Sequence, residues 1–289
     1  MVKTWFCQCS IIKQPTADNK RVSGYGASHL RPNPSLRSGL HIPAKPLTIC
    51  TWGLFSILLF VTFYGCQKTK KTGPWNEKYD FIYDIPPIIF HYDHGILAGS
   101  YPQNQETTEV KFNDVCNYLG HVCLCGAGGY KISEMAINML KKPEETLEKG
   151  DFILISSRDH TISDVISFVL GCSRRNDPEK NQYFIDPKVE APKREYHYFI
   201  GYPPKEKAVH IIYRKHLLIG NELMDRLWKV ELAYEKNFAS VNQADLELYQ
   251  TTMFNMVKDI LLDRKNDLFD VELIDYDEFL SILKRLKAG

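Results

Sequence analysis

Between residue 79 and the C-terminus the apolar positions fall into two rhythms that predict strands and helices in turn. Short runs rich in Ile, Phe and Tyr at 79–83, 87–92 and 95–98, punctuated by Pro86, Pro87 and Gly95, predict strands. A polar loop follows at 102–109, and 111–119 predicts a short helix that Gly120 stops. Over 127–140 the spacing of Ile132, Met135, Ala136, Met139 and Leu140 is helical and closes before Pro143. Gly150 and Asp151 introduce Phe152-Ile153-Leu154-Ile155, an unbroken apolar run that predicts a buried strand. Ile162, Val165, Ile166 and Val169 then repeat at the spacing of a core-facing helix. Runs at 183–185, 196–200 and 208–213 predict strands, the last two joined by Pro203-Pro204-Lys205-Glu206 into a hairpin with a polar tip.

Beyond Gly220 the rhythm is helical again, through Leu223, Leu227, Val230, Leu232 and Tyr234 and then Leu246, Tyr249, Met253, Met256, Val257, Ile260 and Leu261. A last helix at 276–286 starts with Asp275 and Glu278 in capping-box spacing. The order predicts an α+β fold: a mainly antiparallel sheet packed with helices, with a core domain at 78–220 and a helical C-terminal extension at 221–289. The Met-rich and aromatic stripes of that extension read as core or as the face of a homodimer.

Upstream the pattern changes. Residues 47–64 carry no charge, with Trp52, Leu54, Phe55, Ile57, Leu58, Leu59, Phe60 and Val61 at their centre. About 18 to 20 such residues is the least that spans a bilayer core, and also the upper end of a signal-peptide apolar region. Before it stand Lys3, Lys13, Lys20, Arg21, Arg31, Arg37 and Lys45 against Asp18 alone, a positive-inside arrangement. The run ends in Phe63-Tyr64-Gly65-Cys66, similar to a lipoprotein cleavage site with Cys66 as the lipidated residue, although Phe63 and Tyr64 are bulky for that pattern. A retained signal anchor over 47–66 is the rival reading. Residues 1–46, rich in Pro, Ser, Gly and basic side chains, have no apolar rhythm and are expected to be disordered, and 67–77 reads as a tether. The expectation is a domain held at the membrane in the cell envelope, outside the cytoplasm. A net charge of +1 gives no argument for a nucleic-acid partner.

The chemistry concentrates in His121-Val122-Cys123-Leu124-Cys125-Gly126-Ala127-Gly128-Gly129-Tyr130. Imidazole and thiols at alternate positions suit a soft or borderline divalent ion, Zn or Ni, with His121 and Cys123 as ligands and Cys125, His160 and Cys172 as further candidates. Gly126, Gly128 and Gly129, at a helix start, are candidates for holding an anion on backbone N–H groups. Directly after the buried strand come Asp159 and His160, with Asp164 four residues on from His160. Either a carboxylate here orients a metal-bound His, or Asp159 caps the helix and His160 is a surface residue. His91 and His94, with Asp93 between them, are a metal or acid/base group or a solvated strand end. Of the eight cysteines, Cys7, Cys9 and Cys50 fall in the leader, and Cys116, Cys123, Cys125 and Cys172 fall in the domain, where disulfides compete with metal. No P-loop, His-Glu-x-x-His helix or Gly-x-Ser-x-Gly elbow is present.

These residues resemble the FmdE-like family, the relatives of one component of formylmethanofuran dehydrogenase. In that family a His-Gly-His-x-Cys-Pro-Gly segment runs into Gly-Tyr-Arg and a helix. Here the segment reads Leu119-Gly120-His121-Val122-Cys123-Leu124-Cys125, followed by Gly129-Tyr130-Lys131. A second family segment, with an Asp, a Cys, an Asp-bearing helix and Gly-Cys-Thr, is similar to Asp159, Thr161, Asp164 and Gly171-Cys172-Ser173. A strand, Gly-Lys turn and strand of the family are matched by 198–201 and 207–211. The resemblance covers roughly residues 110–235 and implies that family's core fold and a divalent-metal site. Leu119, Leu124, Cys125 and Thr161 replace the family's His, Pro, Gly and Cys, so the ligand set implied here is a rebuilt one, with Cys125 and His160 in place of lost groups. The family's Cys-rich zinc finger is absent, since the last cysteine is Cys172. Two function classes follow. One is a metal-dependent enzyme or redox unit; the other is a non-catalytic metal-binding, storage or interaction module, or a disulfide-stabilised domain without metal.

Overall fold

Alternation builds the centre of the molecule. In β5 (Glu195–Tyr202) Tyr198, Ile200 and Tyr202 point to one face, and in β6 (Lys207–Arg214) Val209, Ile211 and Tyr213 do the same. The two strands pair antiparallel, with Tyr196 opposite Tyr213 and Tyr198 opposite Ile211. Glu206, at φ 50°, closes the short turn between them. The computed structural model describes residues 73–288 except 103, 160 and 176. The leader, the apolar segment with Cys66 and residues 67–72 of the tether lie outside the described residues. Among the described residues no helix is long and apolar enough to cross a membrane.

The sheet runs β4-β3-β5-β6-β7, with β3 (Ile153–Ser156) parallel to β4 (Tyr183–Ile185) and every other neighbour antiparallel. A separate pair, β1 (Ile88–His91) and β2 (Thr107–Val110), is also antiparallel. One face of the large sheet packs on α3 (Leu124–Leu140), which also touches α2 (Phe112–Leu119), α4 (Ile162–Leu170) and α6 (Gln243–Leu261). The other face carries α7 (Tyr276–Ala288), whose Phe279 and Leu283 cover Ile155 and Ala208. Short α1 (Asp93–Leu97) and α5 (Asn221–Lys236) complete the α+β architecture.

Some boundaries differ from the sequence expectation, each for a local reason. Residues 79–83 lie in a 3-10 helix, Glu77–Asp84, because Asn76 caps it and Tyr79 and Phe81 bury their rings on Phe254 rather than on a strand partner. Residues 95–98 fall in and just after α1, where Gly95 passes so close under Tyr101 that a Cβ would lie 2.2 Å from the ring. The polar run expected as loop contributes β2, stabilised by its pairing and by little burial. Helix α3 starts at Leu124, three residues earlier than its apolar rhythm, because Cys123 caps it with a sulfur that accepts the Gly126 N–H at 3.4 Å. The expected C-terminal helical extension also holds β7 (Phe269–Ile274), which adds an edge strand beside β6.

The glycines of α3 serve packing. A Cβ on Gly126 would meet Leu119 at 3.0 Å, one on Gly128 would meet Tyr213 at 3.0 Å, and one on Gly129 would meet Val165 at 2.7 Å and the Ile162 carbonyl at 2.8 Å. The glycines expected as an anion cradle are all three buried in the helix, and the Gly126 N–H is taken by Cys123. Gly129 meets backbone that no rotamer change can move. Gly129→Ala gains up to about 1 kcal/mol in helix propensity, but overpacking costs about 1–3 kcal/mol. The expected outcome is a net loss of about 1–2 kcal/mol in urea unfolding, whereas Ala at the exposed Asn138 position should change stability by less than about 0.5 kcal/mol.

Candidate metal centre

Helix α2 ends at Gly120, whose φ of 77° lets the chain turn sharply into His121 and Cys123. Helix α3 then begins at once, which brings Cys123 and Cys125 together at its N-terminal end. The two thiols are hydrogen-bonded to each other, and this contact first, then burial, holds Cys123 well above the ordinary thiol range. Neither these two cysteines nor Cys116 and Cys172, the others among the described residues, are in a disulfide.

Around the pair the sheet supplies a polar shell. Lys215, just past β6, points its Nζ at Cys125 Sγ, 4.0 Å away. Burial alone would lower the Lys215 pKa, but the negative charge available on Cys125 and Tyr196 lifts it above the ordinary value. Tyr213 is fully buried, and its hydroxyl has no hydrogen-bond partner among the described residues. Burial first, and then Cys125, push that phenol well above its usual range. Tyr249, from α6, is raised by burial and then by Glu231, Cys123 and Cys125.

Asp159 links this shell to α4. Its carboxylate accepts the Ser163 N–H and hydroxyl, each at 2.9 Å, and the Tyr198 hydroxyl at 2.8 Å. Burial pushes its carboxyl up to about 6, opposed by the Tyr198 and Ser163 hydrogen bonds and reinforced by Cys125. Asp159 thus holds the first turn of α4 through Ser163, while Thr161 occupies the N-cap position, and it lies near enough to Cys125 to feel its charge. Asp164 turns elsewhere: it accepts the Tyr183 hydroxyl at 3.1 Å and lines a shallow surface groove with Tyr118, Phe168, Arg174 and Tyr183.

The remaining candidates are spread apart. His121 is exposed, and its Nδ1 lies 3.0 Å from the Leu119 carbonyl; the N–H donated there leaves Nε2 with its lone pair. Cys172 is buried at the far end of α4 and donates to the Phe152 carbonyl at 3.4 Å, with its thiol pushed up to about 12 by burial. His160 lies outside the described residues. No three of His121, Cys123, Cys125 and Cys172 bring their ligand atoms within 4.8 Å of one another; the set among the described residues that does so is His91, Asp93 and Glu148. There His91 Nδ1 contacts Glu148 at 2.8 Å and Asp93 at 3.3 Å, while the other Glu148 oxygen accepts the Asp93 N–H. Sequence spacing offered Asp93 and His94 beside His91; the long-range partner Glu148 had no local signal.

Tyr196, Tyr198 and Tyr213 also escaped the sequence reading, where they belonged to ordinary strands, as did Lys215 just beyond the last of them. Their signal was the aromatic alternation of the hairpin, legible only once β6 is known to pack on Gly128. Compared with protein-family models, with curated proteins and with solved structures, the chain matches none.

Thiol reactivity tests this description of the cysteines. Burial pushes Cys116 and Cys172 each up to about 12. Their thiolate fraction at pH 8 is then roughly a thousandfold below that of a thiol near its usual value. Peptide mapping after iodoacetamide treatment at pH 8 should find both unmodified in native protein and fully alkylated in urea. Rapid alkylation of either in native protein would show that the buried environment is misassigned.

Proposed function

We propose that this domain binds one divalent metal ion, Zn or Ni, on Cys123 and Cys125, with His121 and His160 as the further donors. The observation that carries the reading is the thiol pair itself: two sulfurs outside any disulfide, hydrogen-bonded to each other at the head of α3, beside Lys215 and the Tyr213 hydroxyl, which has no hydrogen-bond partner among the described residues. Buried polar groups are expected to be paired, and an orphan hydroxyl next to two soft donors is what a site that takes a ligand leaves behind. Charge supports the same reading. Two thiolates and the Asp159 carboxylate, set against the Lys215 ammonium, leave two negative charges, which one divalent cation neutralises. Without it that arrangement is costly to bury, and the thiols stay protonated.

His121 fits as a donor because the hydrogen bond from Nδ1 to Leu119 selects the tautomer with Nε2 bare, the usual way a metal-bound imidazole is oriented. Within this proposal the family resemblance accounts for the placement of His121 and Cys123, and Cys125 for the rebuilt set. The segment ending at Cys66 serves as the membrane tether that presents the domain in the cell envelope. Three protein donors leave a position for water or substrate, as in metal-dependent enzymes, while four close the site as in storage or structural modules.

Elemental analysis of tag-free protein should find one equivalent of metal. Cys123→Ser and Cys125→Ser should each lower affinity at least tenfold, and acidification from pH 7.5 to 5.5 should release the ion, because ligation requires deprotonated thiols. Full retention of one equivalent in the double variant would place the metal elsewhere.

A further inference from the structure

The face of the sheet opposite α3 carries a second constellation. Alternation along β5 and β6 turns His197 and His210 away from Tyr198, Ile211 and Tyr213, so they lie across the sheet from the thiols. Helix α7 covers Ile155 and Ala208 on this face, and His197 and His210 stay half-buried. His197 Nδ1 and His210 Nε2 face each other at 3.0 Å. On the far side of its ring, His210 Nδ1 meets Glu272 Oε1 of β7 at 3.1 Å.

Each ring is held in place. Phe199 stacks on His210, with centroids 4.3 Å apart and planes 5° from parallel. His197 is fixed through its backbone, whose N–H donates to Ser157 Oγ and whose carbonyl accepts the Ser157 N–H. Glu272 accepts the Nδ1–H of His210, so His210 Nε2 carries a bare lone pair directed at His197. Burial and then the neighbouring His210 hold His197 below its ordinary value, which keeps that ring neutral at physiological pH; Glu195 and Arg214 act on it in opposite directions. A His oriented by a carboxylate on its other nitrogen is the common arrangement at metal centres.

The spacing also selects among ions. With metal–nitrogen bonds of about 2.0–2.1 Å, nitrogens 3.0 Å apart subtend about 95° at the metal. That is near the cis angle of square-planar and octahedral ions and well below the tetrahedral angle that Zn prefers. The rings lie 19° from parallel with centroids 5.2 Å apart, so the two nitrogens point nearly along the line between them and each ring turns about its own Cβ–Cγ bond to reach that angle. We propose that His197 Nδ1 and His210 Nε2 form a solvent-facing site for a divalent cation of the Ni or Cu type, with Glu272 orienting His210 and water in the remaining positions. Binding shifts the His197 proton to Nε2 and replaces one N–H···N hydrogen bond by two metal bonds. The site stands apart from the thiol pair and does not depend on it.

The test is calorimetric titration of Ni2+ into tag-free, chelator-stripped full chain carrying Cys123→Ser and Cys125→Ser. One Ni2+ per chain is expected, with affinity at least tenfold lower in His197→Gln and in His210→Gln, and roughly tenfold lower in Glu272→Ala. Cu2+ bound to the same protein should show electron-spin hyperfine splitting from two nitrogens. Should the double Cys variant fail to fold, the wild-type chain serves: its Ni2+ count should fall by one on His210→Gln while circular dichroism stays native. Unchanged binding in both His variants, or loss of binding on His91→Gln instead, overturns the assignment.

Discussion

The rest of the structure depends on how closely α3 approaches its neighbours. Gly128 lies against Tyr213 and Gly129 against the Ile162 carbonyl of α4, distances that any side chain on the helix would forbid. That approach lets one helix be shared by the sheet, by α4 and by α2, with Tyr130 reaching past them to the carbonyls of Pro86 and Val110. It also decides where chemistry sits. The end of α3 that bears Cys123 and Cys125 is driven into the end of β6 that bears Tyr213, with Lys215 just beyond it, so close packing assembles the polar cluster.

Electrostatics in that cluster run against burial. A lysine, an aspartate and two thiols share a region where ionised groups are costly unless paired. Lys215 is shifted above its ordinary value despite its burial, by its nearness to Cys125 and Tyr196; Asp159 is shifted to about 6 because little solvent reaches it, and Cys123 holds its proton against Cys125. A divalent ion at the thiols would reverse this balance by drawing off protons and turning three mutually opposed anions into one neutralised group. The outer-face histidines follow a different logic: two imidazoles hydrogen-bonded to each other are aligned by a carboxylate and a stacked phenyl ring.

Much of the fold was legible in the sequence. The apolar run before Ser156, the core spacing of Ile162 to Val169 and the hairpin around Pro203 each carried a strong period, and all three are where the pattern placed them. Elements whose stability comes from partners were not legible: β2 and β7 are edge strands with little burial, and the aromatic segment at 79–83 takes its form from Phe254, far along the chain. The same holds for the site. Cys123, Cys125 and Asp159 drew notice because they cluster locally, whereas Lys215, Tyr213 and Glu148 join their sites through long-range packing that local spacing does not encode. Glycines at a helix start read equally well as anion binders or as packing surfaces, and only the neighbours at Gly128 and Gly129 separate the two.

Cobalt(II) substitution tests the central claim most directly. Added to chelator-stripped protein, one equivalent of Co2+ bound by Cys123 and Cys125 should give thiolate-to-cobalt charge-transfer absorption that saturates at one ion per chain. Its intensity should fall by about half in either single Cys→Ser variant and vanish in the double variant. Charge-transfer absorption that persists in the double variant, or none in the wild type, would contradict a metal site at the head of α3.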